Sequence, residues 1–567
     1  MKNPHRQLRT PFYCFAIAVL ATLPFLPSLG YGFLAEWDDG GFVSLNPFIS
    51  WTVENLIYNL TTNLQGVYTP LTTLSLMVDN VIFNGNPAGF HFVNILLYGG
   101  CAVFLFLIMR RLSIPVVCAF ILTLLWAWNP CKAETVAWIS ERKGVASAFF
   151  AFSAFYYFMR SCELKKMPIG AAILIFIACF FKPWILPVPG LMILYAWTLS
   201  PDNYRKVLQA VWLPALTGTL AAAIVVGMTF GESSASRSFS LIDTFGVLRY
   251  IAASLWPLNL NPIHPRAGFI AVWPELLIGI AMIIALWAMA ARSGKWRVSL
   301  VFSIACIALT LPLIVSGSFT NANYTDRYGF LVSALIWCWI GVVGLRYFNA
   351  FPRVAILGTI VLASGYLLTL TLYLDTFSDS RLVFAHAAIN ENCPPKALEG
   401  LALVALNRND SELLYQSGRL FIERAHQIQG NEIIYADTGN LFCAMAVALE
   451  AQKCESLERI LNDLDSKTFY SPEIFLPRAY NLVIEGLLSA GKRKEALRLL
   501  EQQQRRGDGN AFELAFAAGL SGYLTNDFER AVHEWRAALN IRPTDKKVQI
   551  NLKAAEAKLK QNDDESI

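Results

Sequence analysis

The sequence predicts an all-α protein in two parts: a polytopic membrane domain over residues 1–375 and, after a linker at 376–398, a soluble helical domain over 399–567. Three observations carry this. The chain of 567 residues is 55% hydrophobic and only 15% charged, with a positive mean hydropathy, which a wholly water-soluble fold does not show. Nearly all long apolar runs lie before Asp375, and roughly the last 190 residues return to ordinary charge density. Those residues carry Ala, Leu and Tyr at helical spacing between Gly and Asn-Asp turns.

The membrane domain is read by apolar length. Segments near 11–31, 89–109, 114–130, 144–160, 167–181, 184–199, 208–229, 274–291, 298–316, 328–346 and 354–374 give about eleven spans, several of them short. The first follows Lys2, Arg6 and Arg9, is interrupted by Pro24 and Pro27, and lacks a small-x-small cleavage site, so it reads as an uncleaved span and not a signal peptide. Alternate loops are basic: Arg110/Arg111, Arg160/Lys165/Lys166, Arg205/Lys206, Arg292/Lys295/Arg297 and Arg346/Arg353. The positive-inside rule then sets the N-terminus in the cytoplasm. An odd span count sets the C-terminal domain in a periplasm or equivalent lumen, as in a bacterial inner membrane.

The opposite loops are unequal. The first, 32–88, contains Asp38-Asp39 just beyond a span and amphipathic stretches such as Trp51 to Leu64 that suit the interface plane. Another, about 231–273, holds Arg237, Arg249, His264 and Arg266, with an apolar stretch Val247 to Trp256 too short to span. The remaining short loops carry Lys132, Glu134, Glu141, Arg142 and Lys143, then Lys182, then Asp326 and Arg327. Ionisable residues gathered at one membrane face in loops this short point to a shared polar cavity.

In the soluble part the clearest unit is Phe512 to Pro543, in which Gly519, Ala531, Trp535 and Ala538 match the small and aromatic positions of a tetratricopeptide repeat. Ala496 and Leu500 repeat the Ala531 and Trp535 positions about 35 residues earlier. The net charge of +5 is spread over short clusters, which argues against a nucleic-acid partner. The 11 Cys show no CxxC pair and no metal spacing. A Cys443 to Cys454 bridge is an option in an oxidising compartment and leaves Cys393 over.

Certain residues, in order, resemble a known family. Trp37-Asp38-Asp39 with Asn46-Pro47, Tyr68-Thr69-Pro70-Leu71 and Gly89-Phe90-His91-Phe92-Val93-Asn94 look like the first outer loop and second span of the transmembrane and tetratricopeptide-repeat O-mannosyltransferases and their bacterial relatives. Asn129-Pro130-Cys131-Lys132-Ala133-Glu134-Thr135-Val136-Ala137-Trp138 with Glu141-Arg142-Lys143 resembles their short loop after the third span. Phe181-Lys182-Pro183 and Asp326-Arg327-Tyr328 resemble two later loops, and repeats close the chain. Thr69 stands where the family has Arg, and Asn129 and Lys132 where it has His. The resemblance implies a GT-C glycosyltransferase fold, a polyprenyl-phosphate-linked sugar as donor, and transfer to a protein acceptor recruited by the repeats on the outer face.

The residue types suit that chemistry. A carboxylate must take the acceptor hydroxyl proton while cations stabilise the leaving phosphate. Asp38 or Asp39 is the candidate base, with Asp38 preferred by family analogy, and the same pair would serve a divalent metal if one is required. Arg142, Lys143, Lys182 and Arg327 are candidates for the donor phosphate, Arg offering a bidentate fork and Lys a point charge. His91, Glu134, Glu141, Asp326 and Tyr328 are candidates for substrate contact or support.

Each has a plainer reading. Asp-Gly is a common turn pair. Glu134 and Glu141 can simply pair with Lys132 and Arg142, and Asp326-Arg327 with each other. His91 can be a core histidine, and a lysine at a span end commonly snorkels to the headgroups. Trp126, Trp128, Trp138 and Trp184 suit an interfacial belt. A non-catalytic membrane-anchored repeat scaffold for protein assembly is the competing function.

Overall fold

The computed structural model describes residues 9–64, 66, 68–199, 202–230, 246–257, 259–264, 269–316, 324–389, 393–425, 432–451, 455–464, 467, 469–507, 511–542 and 545–565. Every regular element among them is helical. Two compact units divide between Pro394 and Pro395.

The first unit begins with α1 (Arg9–Thr22), continued by a 3₁₀ stretch, Leu23–Gly30, where Pro24 and Pro27 each remove a backbone donor. In the first long loop a π-helical turn, Gly40–Ser44, precedes α2 (Val53–Thr61) and α3 (Pro70–Phe83). Then come α4 (Pro87–Arg111), α5 (Val116–Trp128), α6 (Arg142–Leu164), α7 (Ile169–Phe181), α8 (Val188–Leu199) and α9 (Tyr204–Phe230). The unit continues with α10 (Gly246–Leu255), α11 (Phe269–Arg292), α12 (Trp296–Ser316), α13 (Gly329–Ala350), α14 (Pro352–Leu374) and the short α15 (Ser380–Ala388). One apolar core runs through it, with Trp126, Trp138 and Trp339 among its largest fully buried side chains.

Seven helices among the described residues are long and apolar enough to cross a membrane, or eight if the bent pair Val116–Trp128 and Pro130–Ala137 forms one span. The chain is a multi-pass membrane protein. This revises the eleven expected spans. Six of them are among these seven helices, and 114–130 falls in the bent pair. Of the other four, α6 is long enough but less apolar, α12 is described in full only to Thr310, and α7 and α8 fall short by length. At 1.5 Å rise per residue, α7 and α8 reach roughly 20 Å against a hydrocarbon core of about 30 Å. Six of the seven lie in the first unit; the seventh, Glu432–Glu450, lies in the second.

The expected linker at 376–398 is also revised. A 3₁₀ turn, Asp375–Ser378, and α15 are folded into the first unit, burying Phe377, Val383 and Phe384. Phe384 lies 6.2 Å from the Trp37 ring, and His386 Nε2 is 3.0 Å from the Leu260 carbonyl. Apolar residues at positions 383, 384 and 387 give the helix a buried stripe.

The second unit comprises α16 (Pro395–Arg408), α17 (Ser411–Ala425), α18 (Glu432–Ala451), α19 (Glu455–Asn462), α20 (Pro472–Ser489), α21 (Arg493–Arg506), α22 (Ala511–Thr525), α23 (Phe528–Ile541) and α24 (Lys546–Glu565). Each packs chiefly on its sequence neighbours. Helices α17 and α18 approach closely because Gly418 and Gly439 face one another; a Cβ on either would meet the other helix's backbone. In the α22 and α23 pair, Gly519 lies flat against the Trp535 ring, whose Nε1 donates to the Phe516 carbonyl at 3.2 Å. Cys443 Sγ is 3.8 Å from the Tyr415 carbonyl. Its suggested partner Cys454 lies outside the described residues, as do Pro543, Lys2, Arg6, Arg237 and Arg266 and the side chain of Arg9.

Candidate functional site

The site is built on a break in the chain after α5. Pro130 disfavours helical geometry at the residue before it, and Asn129 accordingly takes φ −60°, ψ 124° and caps the next turn through the Cys131 amide at 3.0 Å. The path bends by 61° and returns to α6 through short turns at Pro130–Lys132, Ala133–Ala137 and Ile139–Glu141. All of residues 129–142 are buried, including Lys132, Glu134, Glu141 and Arg142. Buried charge must be paired, and the pairing defines the site.

Phe42 and Val43, in the turn after the acid pair, pack with Leu76, Phe90 and Ile139 and so bring the first loop against this segment. The two aspartates then part. Asp39 is fully buried; its Oδ2 accepts the Leu34 amide at 2.9 Å, and its Oδ1 accepts the Ser140 amide at 2.8 Å and the Ser140 hydroxyl. Burial pushes its carboxyl up to about 6, with the Asp38 charge adding, against the lowering effect of the Ser140 and Leu34 hydrogen bonds. Asp38, its side chain 24% exposed, lies 2.9 Å from Lys143 Nζ.

Lys143 is the link to the rest. Its ammonium sits over the Phe42 ring at 4.9 Å and the Trp138 ring at 5.1 Å. The Arg327 guanidinium lies 5.4 Å from the same Trp138 ring and 5.1 Å from Tyr328. Arg327 holds Glu134 through its side chain, and its amide donates to the other Glu134 oxygen at 3.2 Å. Glu141 pairs with Lys182 through Oε1, and its Oε2 is 4.0 Å from Arg327 Nε. Lys182 in turn lies over Trp184 at 4.9 Å and Tyr328 at 5.0 Å. Asp38, Lys143, Glu141, Lys182, Glu134, Arg327 and Tyr328 thus form one network around Trp138, which stacks on Trp37 at 4.0 Å.

Besides Asp39, three candidates lie apart from it. Arg142, expected to reach a phosphate, faces the opposite way: NH2 donates to Asp79 Oδ2 at 2.6 Å and to the Phe90 carbonyl at 2.9 Å, and Nε donates to Asn94. That expectation is revised, because a guanidinium enclosed in this way serves the packing of α3, α4 and α6. Asp326 accepts the Asn261 amide at 3.1 Å and lies 3.0 Å from His264 Nε2. It therefore fastens the segment between α10 and α11 and is not paired with Arg327. His91, buried near the start of α4, meets the Tyr31 ring edge-on at 6.3 Å, and Tyr31 donates to Asp375 at 2.7 Å.

Asp79, Ser140 and the buried Arg249 and Glu275 pair, 2.5 Å apart, were missed by sequence reasoning. For Asp79 a signal existed: it is a lone acid in the apolar run Pro70–Phe83, where a charge needs a partner. Glu275, the lone acid of the apolar α11, and Arg249, the lone charge of α10, carry the same signal; Ser140 carries none.

Among the described residues no group of three or more His, Cys, Asp or Glu is placed to hold a metal ion. Asp38 and Asp39 do not fit one as a pair, because amide and hydroxyl donors face both Asp39 oxygens and an ammonium sits beside Asp38. Fold and site together define a multi-pass helical membrane protein with a buried, charge-compensated network at one end of its helices. No protein-family model matches the chain, and no curated protein does.

Proposed function

We propose that the protein is a membrane glycosyltransferase of the GT-C type. It moves a sugar, mannose-like by resemblance, from a polyprenyl-phosphate donor to a Ser or Thr hydroxyl of a protein on the periplasmic or lumenal face. The helical repeats of the second unit, of the tetratricopeptide kind, recruit the acceptor, since such repeats offer peptide-binding surfaces. The observation that carries the reading is that Asp38, partly exposed, shares Lys143 with the indole that also receives Arg327. A base and two cations therefore stand around one indole ring.

The reaction is a single displacement with inversion. Asp38 takes the acceptor hydroxyl proton as the new bond forms at the anomeric carbon, and the bond to the phosphate oxygen breaks. Lys143, Lys182 and Arg327 stabilise the negative charge that stays on the lipid phosphate. Asp39 acts through its neighbour, holding the loop so that Asp38 points to the acceptor.

A second reading, a non-catalytic scaffold, is favoured by one observation. Each of these cations already has a carboxylate: Lys143 has Asp38, Lys182 has Glu141 and Arg327 has Glu134. Transfer to acceptor protein in membranes carrying Asp38→Asn separates the two. The enzyme reading expects a loss of about 10²- to 10⁴-fold, and full activity in this variant would remove Asp38 as the base. Mass spectrometry of outer-face proteins from a deletion strain identifies the missing sugar and its carrier; an unchanged glycan profile supports the scaffold.

A further inference from the structure

The first unit contains a second feature with its own chemistry, a cavity of about 280 Å³ among α4, α6, α8, α12 and α13. Its lining is almost wholly hydrocarbon. Along α12 the lining runs from Val298 to Leu309, roughly 16 Å of helix at 1.5 Å per residue. That is about half of a ~30 Å hydrocarbon core, the depth of one leaflet.

The two ends of this slot differ. At the end nearest the charge network, Val188, Leu309 and Leu331 are buried and close it. At the far end Thr198 is exposed and Leu112 and Val342 are only partly buried, so the slot opens there. The open end is the basic one. Lys295 Nζ donates to the carbonyl of Val342, a lining residue, at 2.8 Å, which uses one of an ammonium's three donors. Arg110 and Arg111 end α4 directly before Leu112.

We propose that this slot binds one hydrocarbon chain of an anionic phospholipid that enters from the basic membrane face, with the lipid phosphate at Lys295. The apolar lining selects a hydrocarbon, the length selects a chain from a single leaflet, and the closed end excludes a lipid whose head sits at Lys182 and Arg327. The site is independent of the proposed transfer reaction.

Native mass spectrometry of the full-length protein in detergent, titrated with dioleoyl phosphatidylglycerol or dioleoyl phosphatidylcholine, tests it. The wild type is expected to retain one phosphatidylglycerol under activation that strips other adducts. Phosphatidylcholine should be weaker by about fivefold, the order one lysine supplies toward an anionic headgroup. Ala305→Phe, which fills the slot, should abolish retention, and Lys295→Gln should keep binding but remove the preference between the two lipids. Should Ala305→Phe fail to fold, Ala334→Val reduces the slot more gently, and the Lys295→Gln comparison stands alone. The proposal is overturned if the wild type retains neither lipid, if it co-purifies with a polyprenyl phosphate that phosphatidylglycerol cannot displace, or if Ala305→Phe folds and retains phosphatidylglycerol unchanged.

Discussion

Asp39 and Ser140, 101 residues apart in sequence, are joined by two hydrogen bonds to a single carboxylate oxygen, one from the Ser140 amide at 2.8 Å and one from its hydroxyl. Through this contact the first long loop and the short segment before α6 behave as one piece. Whatever Asp38 and Lys143 do, they do with the geometry this junction sets.

The junction is pH-dependent. The Asp39 carboxyl is raised from 3.8 to about 6 in the folded protein. A raised folded value means that the native state binds the proton more tightly than the unfolded chain, so the contribution of this carboxyl to stability is greatest below about pH 4 and declines as pH rises to about 6. The difference is on the order of 3 kcal/mol. Asp39→Asn is expected to flatten the dependence of the thermal midpoint on pH across that window, as read by unfolding of the detergent-purified protein. A variant whose midpoint keeps the wild-type slope would show that Asp39 is not the responsible group.

Arg142 and Asp79 are a buried pair with side chains 1% and 6% exposed. Removing one partner leaves a buried charge uncompensated, which costs about 3–5 kcal/mol. Arg142→Met and Asp79→Leu should each lower the yield of monodisperse protein sharply, and the double variant should recover much of it. If Arg142→Met is fully stable and loses only transfer activity, the guanidinium belongs to the substrate after all.

Glu141 tests the network from its other side. Its carboxylate serves Lys182 and lies 4.0 Å from Arg327, so Glu141→Gln leaves two cations with one fewer anion between them. We expect a stability loss of about 3–5 kcal/mol, partly reversed by Lys182→Met in the same chain. Additive effects of the two substitutions in a double-mutant cycle would show that they do not interact.

In the second unit Trp535, buried against Gly519 and bonded to the Phe516 carbonyl, holds α22 to α23. Trp535→Ala should destabilise that pair by about 3–5 kcal/mol, and Gly519→Val by about 1–3 kcal/mol through overpacking. Hydrogen exchange of the full-length protein should show faster exchange over residues 511–541 while α4 and α13 keep their protection. Slow exchange throughout in both variants would contradict the packing.

Much of this was legible in the sequence. The helical class follows from apolar periodicity, and the ends of α5 and α7 follow from Pro130 and Pro183, each closing an apolar run. The pairing of Gly519 with Trp535 was visible as spacing. The span count was less legible, because runs of 12 and 13 residues such as α8 and α7 read as spans by composition while their length falls short. The stretch at 376–389 looked like a linker because its apolar stripe is only one helix long.

The sequence by itself determined that this is a two-part helical membrane protein, with an acid pair just past its first span and cations at the heads of its later helices. Only the tertiary structure decided which of these residues meet. Asp38 and Asp39 are neighbours, as are Arg142 and Lys143, yet one of each pair is sealed into packing and the other two face each other at 2.9 Å. The physical reason is that a charge removed from water must find its counter-charge wherever packing brings it. For Arg142 that partner is 63 residues away, and for Lys143 it is 105. Adjacent residues on a helix differ by about 100° in direction, so proximity in the chain says little about a shared partner.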